Sequence, residues 1–234
     1  MMTLSIPKIA NVPDGAVERQ TSRVIAHKRW SDDGFELIFE RKGLCFDAGR
    51  LITLHGRSLL EDRSYTIASG EQDPHLHVLY RVVPNGVLTP QLATLTPEDE
   101  VQWSGPYGQF VVRDPQRPLW FIATGTGIAP CRAYLRTYPD IDLTVVHGVR
   151  REEELFFRPE LESHRYIPCL TQQAEPFYHG RVTAYLENQD CPTDAHYYLC
   201  GAYEMIYDMQ ALLIRKGVPA THIFVEGYYY KLET

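Results

Sequence analysis

Eight consecutive residues, Ala123, Thr124, Gly125, Thr126, Gly127, Ile128, Ala129 and Pro130, carry the most readable chemistry in this chain. An apolar run ends at Ile122, two closely spaced glycines follow, and Pro130 suits the first turn of a helix, where its missing N–H has no helical partner. Such a turn lets backbone N–H groups approach a phosphate and adds the favourable end of a helix dipole. The segment reads as a pyrophosphate cradle in which Thr124, Gly125, Thr126, Gly127 and Pro130 bind. Taken alone, it is equally a plain tight turn between strand and helix.

Four more motifs flank it: Arg63-Ser64-Tyr65-Thr66 and Gly86-Val87-Leu88-Thr89 upstream, and Cys200-Gly201-Ala202-Tyr203-Glu204-Met205 and Glu226-Gly227-Tyr228 downstream. In that order, from about residue 17 to residue 228, the chain resembles the ferredoxin-NADP reductase family, in particular its bacterial ferredoxin (flavodoxin)-NADP reductases. The resemblance implies FAD as cofactor, NADP(H) or NAD(H) as coenzyme substrate, and ferredoxin or flavodoxin as redox partner. It also implies that Arg63 binds the flavin pyrophosphate, Tyr65 lies against the isoalloxazine and the Thr66 hydroxyl reaches flavin N5. Tyr80, Arg81 and Val82 would contact the ribityl and phosphate portions. Cys200, beside Gly201 and Met205, would adjoin the nicotinamide, and Glu226 and Tyr228 would complete a catalytic set with Thr66 and Cys200.

The residues themselves agree with these roles while leaving plainer ones open. Alternation along a strand gives Ser64 and Thr66 one face and Arg63 and Tyr65 the other, so one strand end offers a guanidinium, hydroxyls and an aromatic plane; a barrel edge with a solvated arginine has the same pattern. Gly86, Val87, Leu88 and Thr89 precede a helix expected at 89–94, whose first N–H groups suit phosphate. An Asn85-Gly86 turn with Thr89 as N-cap accounts for them as well. A lone Cys200 is ordinarily an inert small hydrophobe, and only its neighbours give it a place at the coenzyme.

The 2′-phosphate of NADP calls for arginine. Arg150 and Arg181 match two arginines of the bacterial reductases, but the S/T-R-E segment expected between them stands here as Thr171-Gln172-Gln173. A neutral amide at 172 gives up the charge attraction, so selectivity for NADPH is weakened or lost; Arg151 either compensates or is an exposed helix-start residue paired with the glutamates at 152–154. At the tail, the resemblance stacks Tyr228 on the flavin. Tyr229 and Tyr230 serve equally to cover a domain interface.

Stepping from motifs to elements, residues 17–112 alternate over short segments, 22–28, 35–40, 51–55, 65–68, 76–83 and 100–105, with Gly, Pro and Asp turns between them. That pattern predicts an antiparallel barrel. Residues 113–118, Arg-Asp-Pro-Gln-Arg-Pro, read as a linker, with the boundary between 114 and 115. Strands and helices then alternate: strand 119–123, helix 130–138, strand 143–148, acidic helical turns at 152–163, strand 166–170, helix 182–188, strand 197–200, helix 202–216 and strand 223–226. The fold class is therefore a β plus α/β two-domain chain. An antiparallel barrel over 1–114, FAD-binding by the resemblance, precedes a parallel-sheet nucleotide-binding domain over 115–234, with ligands at the strand C-terminal ends.

Composition bounds the rest. The chain has 234 residues, 44% hydrophobic and 23% charged, which suits two compact domains. Neither a signal peptide nor a membrane-length apolar run is legible, and five scattered cysteines without a C-x-x-C pair fit reduced thiols in the cytoplasm. The C-x4-C-x2-C run of a plant-type iron–sulfur centre is absent, which leaves such a centre to a partner. A net charge of −7 argues against nucleic acid. Arg19, Arg23, Lys28, Arg29, Arg41, Lys42, Arg50 and Arg57 either face an acidic partner or form an ordinary solvated surface.

With these readings beside it, the resemblance implies a monomeric or weakly associating flavoprotein that takes a hydride from NAD(P)H and passes electrons singly to ferredoxin or flavodoxin. A reductase serving an oxygenase is the enzymatic alternative. A non-enzymatic electron-relay subunit is the alternative of another class, against which stand both halves of the nicotinamide site.

Overall fold

The computed structural model describes residues 18–56 and 61–228. Val17, Arg57, Tyr229, Tyr230 and residues 231–234, on which parts of the sequence reading fall, lie outside them.

The first half contains β1 (Gln20–Arg29), β2 (Gly34–Glu40), β3 (Leu51–His55), β4 (Arg63–Thr66), β5 (His75–Arg81), α1 (Leu88–Leu92) and β6 (Glu100–Tyr107). Its six strands pair antiparallel in the order β4-β3-β6-β1-β2-β5. An antiparallel bridge between Ile67 and Val78 joins the two edges, so the sheet closes as the alternation predicts. Val24, Leu37, Phe39, Ile52, Leu54, Val78 and Trp103 fill the interior.

The second half contains β7 (Leu119–Thr124), α2 (Ala129–Thr137), β8 (Leu143–Val149), α3 (Arg158–Leu161), β9 (Arg165–Leu170), β10 (Tyr178–His179), α4 (Val182–Glu187), β11 (His196–Ala202), α5 (Tyr203–Arg215) and β12 (Ile223–Tyr228). Its strands run parallel in the order β10-β9-β8-β7-β11-β12. The chain leaves β7 toward β8 and later returns on its other side as β11. The order thus reverses between β7 and β11, where open parallel sheets form a ligand crevice.

The two halves share a core. Ala48, Ala68, Leu79 and Phe110 from the barrel side pack with Phe121, Ala129, Tyr134 and Tyr198 from the parallel sheet and α2. Among the described residues, ion pairs cross the same boundary at Glu36–Arg132 (2.8 Å), Asp73–Arg136 (2.6 Å) and Arg81–Glu154 (2.9 Å). The Glu36–Arg132 pair is sealed from water, with Trp30 Nε1 at 3.2 Å and His77 Nδ1 at 2.6 Å also donating to the Glu36 carboxylate.

Candidate functional site

The cradle forms where β7 ends. Thr124 is followed by one 3-10 turn over Gly125–Ile128, and α2 begins at Ala129 with Pro130 in its first turn. Gly125 adopts φ +53° and has nothing within 4 Å of a would-be Cβ, so its backbone is bare toward the crevice. Gly127 faces the other way. A Cβ there would lie 2.4 Å from the Cys200 carbonyl oxygen, so only glycine lets the cradle turn rest on β11. The contact is reciprocal at Gly201 (φ +135°), whose Cβ would meet Thr124 Oγ1 at 2.2 Å, and the Ala202 N–H donates to that oxygen at 3.0 Å. The ends of β7 and β11 are thereby fastened together, in the register Cys200 to Ala123.

A cavity of about 540 Å³ opens beside this junction. It brings together Thr124, Gly125, Arg150, Thr171, Arg181 and Met205, six of the residues the sequence assigns to the coenzyme. Thr126, Gly127 and Pro130 are buried at its edge. Gly148 lies in the lining as expected of a glycine at the ligand edge of the sheet, whereas Glu154 and Asp208 were not expected there, and Arg81, expected on the flavin side, lines this cavity instead. The signal for Arg81 and Glu154 lies in their tertiary pairing at 2.9 Å. Arg150 is not idle: its Nη2 and Nε donate to Glu154 Oε1 at 2.7 and 3.1 Å, and its N–H donates to the other oxygen at 3.0 Å. Gln172 accepts from Arg151 Nε at 3.2 Å, and the exposed Arg151 also pairs with Glu153 at 3.8 Å, as a helix-start residue would.

The second cluster joins the halves. Thr66, buried at the end of β4, donates its hydroxyl to Glu226 Oε2 at 2.8 Å and lies 2.8 Å from the Tyr228 hydroxyl. Register in the parallel sheet sets Glu226 beside Cys200 and Tyr228 beside Ala202, with the Tyr228 hydroxyl and the Glu226 carboxyl both close enough to the Cys200 thiol to influence it. Thr66, Cys200, Glu226 and Tyr228 therefore form one contiguous group drawn from three strands. Burial pushes the Glu226 carboxyl up to about 7, although the Thr66 hydrogen bond pulls the other way. Burial also raises the Cys200 thiol well above its ordinary range, so the sulfur is a neutral steric neighbour rather than a thiolate nucleophile.

Along β4, Arg63 Nη1 donates to the Asp62 carbonyl at 2.8 Å from an exposed position, Ser64 Oγ meets Thr53 Oγ1 at 3.2 Å, and half-buried Tyr65 sets its ring edge-on to Tyr80. Tyr80 itself is buried in the barrel with its hydroxyl on His27 Nε2 at 2.8 Å, and Val82 follows the end of β5. α1 begins one residue earlier than expected, with Val87 rather than Thr89 preceding it. Thr89 Oγ1 instead accepts the Val83 N–H at 2.9 Å and ties the Gly86 turn to the helix. Val87 supplies no side-chain cap, so the first turn presents N–H groups beside Leu88 without competition from its own cap residue. An exposed guanidinium, two hydroxyls, a half-buried aromatic ring and an uncapped turn form the donor set a flavin dinucleotide requires, and the residues fit it.

The chain matches two family models, an oxidoreductase FAD-binding domain over residues 24–112 and an oxidoreductase NAD-binding domain over residues 121–211. It is 31% identical over 220 residues to the flavodoxin/ferredoxin–NADP reductase of Escherichia coli, covering 81% of this chain and 88% of that protein. This chain belongs to the ferredoxin-NADP reductase family. It is also 26% identical to the toluate 1,2-dioxygenase electron transfer component of Pseudomonas putida, over 79% of this chain and 59% of that protein. The crystal structure of a ferredoxin NADP+ reductase from Neisseria gonorrhoeae has the same fold, with a TM-score of 0.81 over 90% of this chain and 99% of that one at 20% identity. As a family member the chain is an FAD-containing reductase that uses NAD(P)H.

The basic residues of the barrel are locally neutralised. Arg19 pairs with Asp62, Arg23 with Glu40 and Glu98, Lys28 with Glu36, Arg29 with Asp32, Lys42 with Glu40 and Arg50 with Asp47. Arg41 spends its guanidinium on the carbonyls of Leu44, Glu71 and Asp73. Of the two sequence readings, the mixed-charge solvated surface is the one these pairs favour.

Proposed function

We propose that this reductase delivers electrons from NAD(P)H to ferredoxin or flavodoxin through the Thr66–Cys200–Glu226–Tyr228 group. That group is the observation that carries the reading, because in it β4 of the barrel and both C-terminal strands present polar side chains to one another. Arg63, Ser64, Tyr65, Thr66 and the turn at Gly86, Val87, Leu88 and Thr89 hold the flavin, with Tyr80 and Val82 behind them. Thr124, Gly125, Thr126, Gly127, Pro130, Arg150, Thr171, Arg181, Gly201 and Met205 hold the coenzyme. Bound FAD supplies the conversion of a two-electron hydride donor into single-electron deliveries. The Thr66 hydroxyl orients toward the reacting edge, Cys200 excludes water and fixes the approach of the nicotinamide, and Glu226 keeps a proton within reach near neutral pH.

Greater identity and coverage against the flavodoxin/ferredoxin reductase than against the dioxygenase component support this acceptor class. Five free cysteines support a reducing, cytoplasmic setting, and no helix among the described residues is long and apolar enough to cross a membrane. The domain boundary falls between 114 and 115, within the segment separating β6 from β7. Large exposed apolar side chains, Ile25, Val83, Val87, Tyr207 and Ile214, are dispersed over β1, the α1 turn and α5, which supports a monomer.

Steady-state reduction of a dye and then of ferredoxin and flavodoxin, with NADH and NADPH in turn, tests the reading. Dye turnover with transfer to either protein is expected; dye turnover without transfer to either would reassign the acceptor. Tyr228 lies between Thr66 and Cys200, where it blocks the nicotinamide. Tyr228→Ser is expected to tighten oxidised-coenzyme binding by roughly three- to tenfold, as removal of one competing aromatic contact allows. Titration of the flavin absorption spectrum measures it, and a parental dissociation constant would remove Tyr228 from the gate.

A further inference from the structure

Directly beneath the cradle lies a fully buried side chain that no motif includes, His147 of β8. Its Nε2 is 2.9 Å from the Gly125 carbonyl oxygen and its Nδ1 is 3.0 Å from the Tyr166 hydroxyl of β9. A carbonyl can only accept, so Nε2 carries the ring proton and donates it there, while the lone pair at Nδ1 accepts the Tyr166 O–H. Both ring nitrogens are satisfied by the neutral imidazole, and burial, which pushes the ring down to about 4, keeps it neutral.

The consequence concerns one peptide plane. In a trans peptide the C=O and the following N–H point in opposite directions. With the Gly125 carbonyl turned inward onto His147, the Thr126 N–H of the same peptide points outward, toward the side on which Gly125 lines the cavity. A Cβ at Gly125 would meet nothing within 4 Å, so no side-chain packing of its own holds this residue at φ +53°. Besides the local 3-10 turn, the hydrogen bond from His147 is the tertiary contact that anchors the Gly125 carbonyl.

We infer that His147 is a positioning residue for the coenzyme: it locks the 125–126 peptide so that the Thr126 N–H is presented to the pyrophosphate, and Tyr166 sets the tautomer that does so. The inference rests on the cradle assignment proposed above. It deepens that assignment by naming what holds the cradle in its binding orientation.

His147→Phe keeps the ring volume and removes the donor, whereas His147→Gln returns an amide N–H to about the place of Nε2. The holoprotein carrying phenylalanine is expected to show a KM for its preferred coenzyme raised about tenfold, the effect of one lost hydrogen bond, with kcat changed by less than about threefold and FAD content unchanged. The glutamine variant is expected to stay within about threefold of the parental KM. A parental KM in His147→Phe, or equal impairment in His147→Gln, overturns the inference. Should His147→Phe fail to fold, Tyr166→Phe decides: freeing the other tautomer is expected to raise KM about threefold, and an unchanged KM again overturns it. Gly127→Val separates this failure from that of the cradle itself. If that variant turns over coenzyme normally the cradle is misplaced; if it is crippled while the His147 variants are normal, only the role of His147 falls.

Discussion

Replacing Arg132 by methionine is expected to lower the free energy of unfolding by about 3–5 kcal/mol, the range for removing one partner of a buried ion pair. For a chain of this size that corresponds to a melting temperature lower by roughly 6–20 °C, read by thermal unfolding. The methionine occupies most of the arginine's volume, so the loss comes from charge. Glu36 would keep Trp30 and His77 as donors but lose the guanidinium at 2.8 Å. Arg132 would also leave Glu160, at 2.8 Å, and the face of Phe157, whose ring centre lies 4.3 Å from the guanidinium carbon. Glu36→Gln combined with Arg132→Met is expected to recover much of the loss, because no unpaired charge then remains buried. A single variant as stable as the parent would show that the pair contributes nothing.

The same cluster predicts acid sensitivity. Burial alone would raise the Glu36 carboxyl, but the His77 hydrogen bond and then the charges of Arg132, His77 and Lys28 reverse this and hold it at about 2 against an ordinary 4.5. A depressed carboxyl stabilises the fold fully above pH 4.5, and that contribution, about 3 kcal/mol, drains away as pH falls through 2. In Arg132→Met this acid-side dependence is expected to shrink.

The second large effect is expected at Gly127, where valine would place Cβ 2.4 Å from the Cys200 carbonyl oxygen. That oxygen belongs to β11, held between β7 and β12, and the strand has no room to yield. The cradle turn must move instead. A displacement on the order of 1 Å at a binding loop costs on the order of a hundredfold in rate. Gly127→Val is therefore expected to lower kcat/KM for the coenzyme by about that factor while leaving flavin content unchanged, since the barrel is untouched. Retention within about tenfold, a loss that one misplaced hydrogen bond would explain, would move the coenzyme elsewhere.

How legible these features were depends on how local their causes are. β7, α2, β8 and α5 lie within a few residues of their expected bounds because each pairs an apolar period with glycine or proline punctuation. β10, only Tyr178 and His179, is too short to carry a period and went unread. Thr66, Cys200, Glu226 and Tyr228 were found through motif order, but their meeting depends on strand register across both halves. Glu36 and Arg132 are 96 positions apart and gave no signal; in sequence each is one charge on an amphipathic element. His147, within an apolar strand, belongs to no motif, and its role depends on which carbonyl lies above it. The pairing of Arg150 with Glu154 was local enough to read at four residues' separation, yet the arginine was assigned to phosphate alone.

That pairing has a consequence for how a nucleotide is received. An arginine held by a carboxylate has already surrendered the rotamer freedom that anion binding would otherwise cost, so the protein enters the encounter preorganised. The arriving phosphate does not capture a wandering cation; it trades places with Glu154, one anion for another. In such an exchange the net gain at Arg150 is small, so the grip proposed for the dinucleotide would fall to the backbone donors of the cradle and to Arg181 across the same cavity.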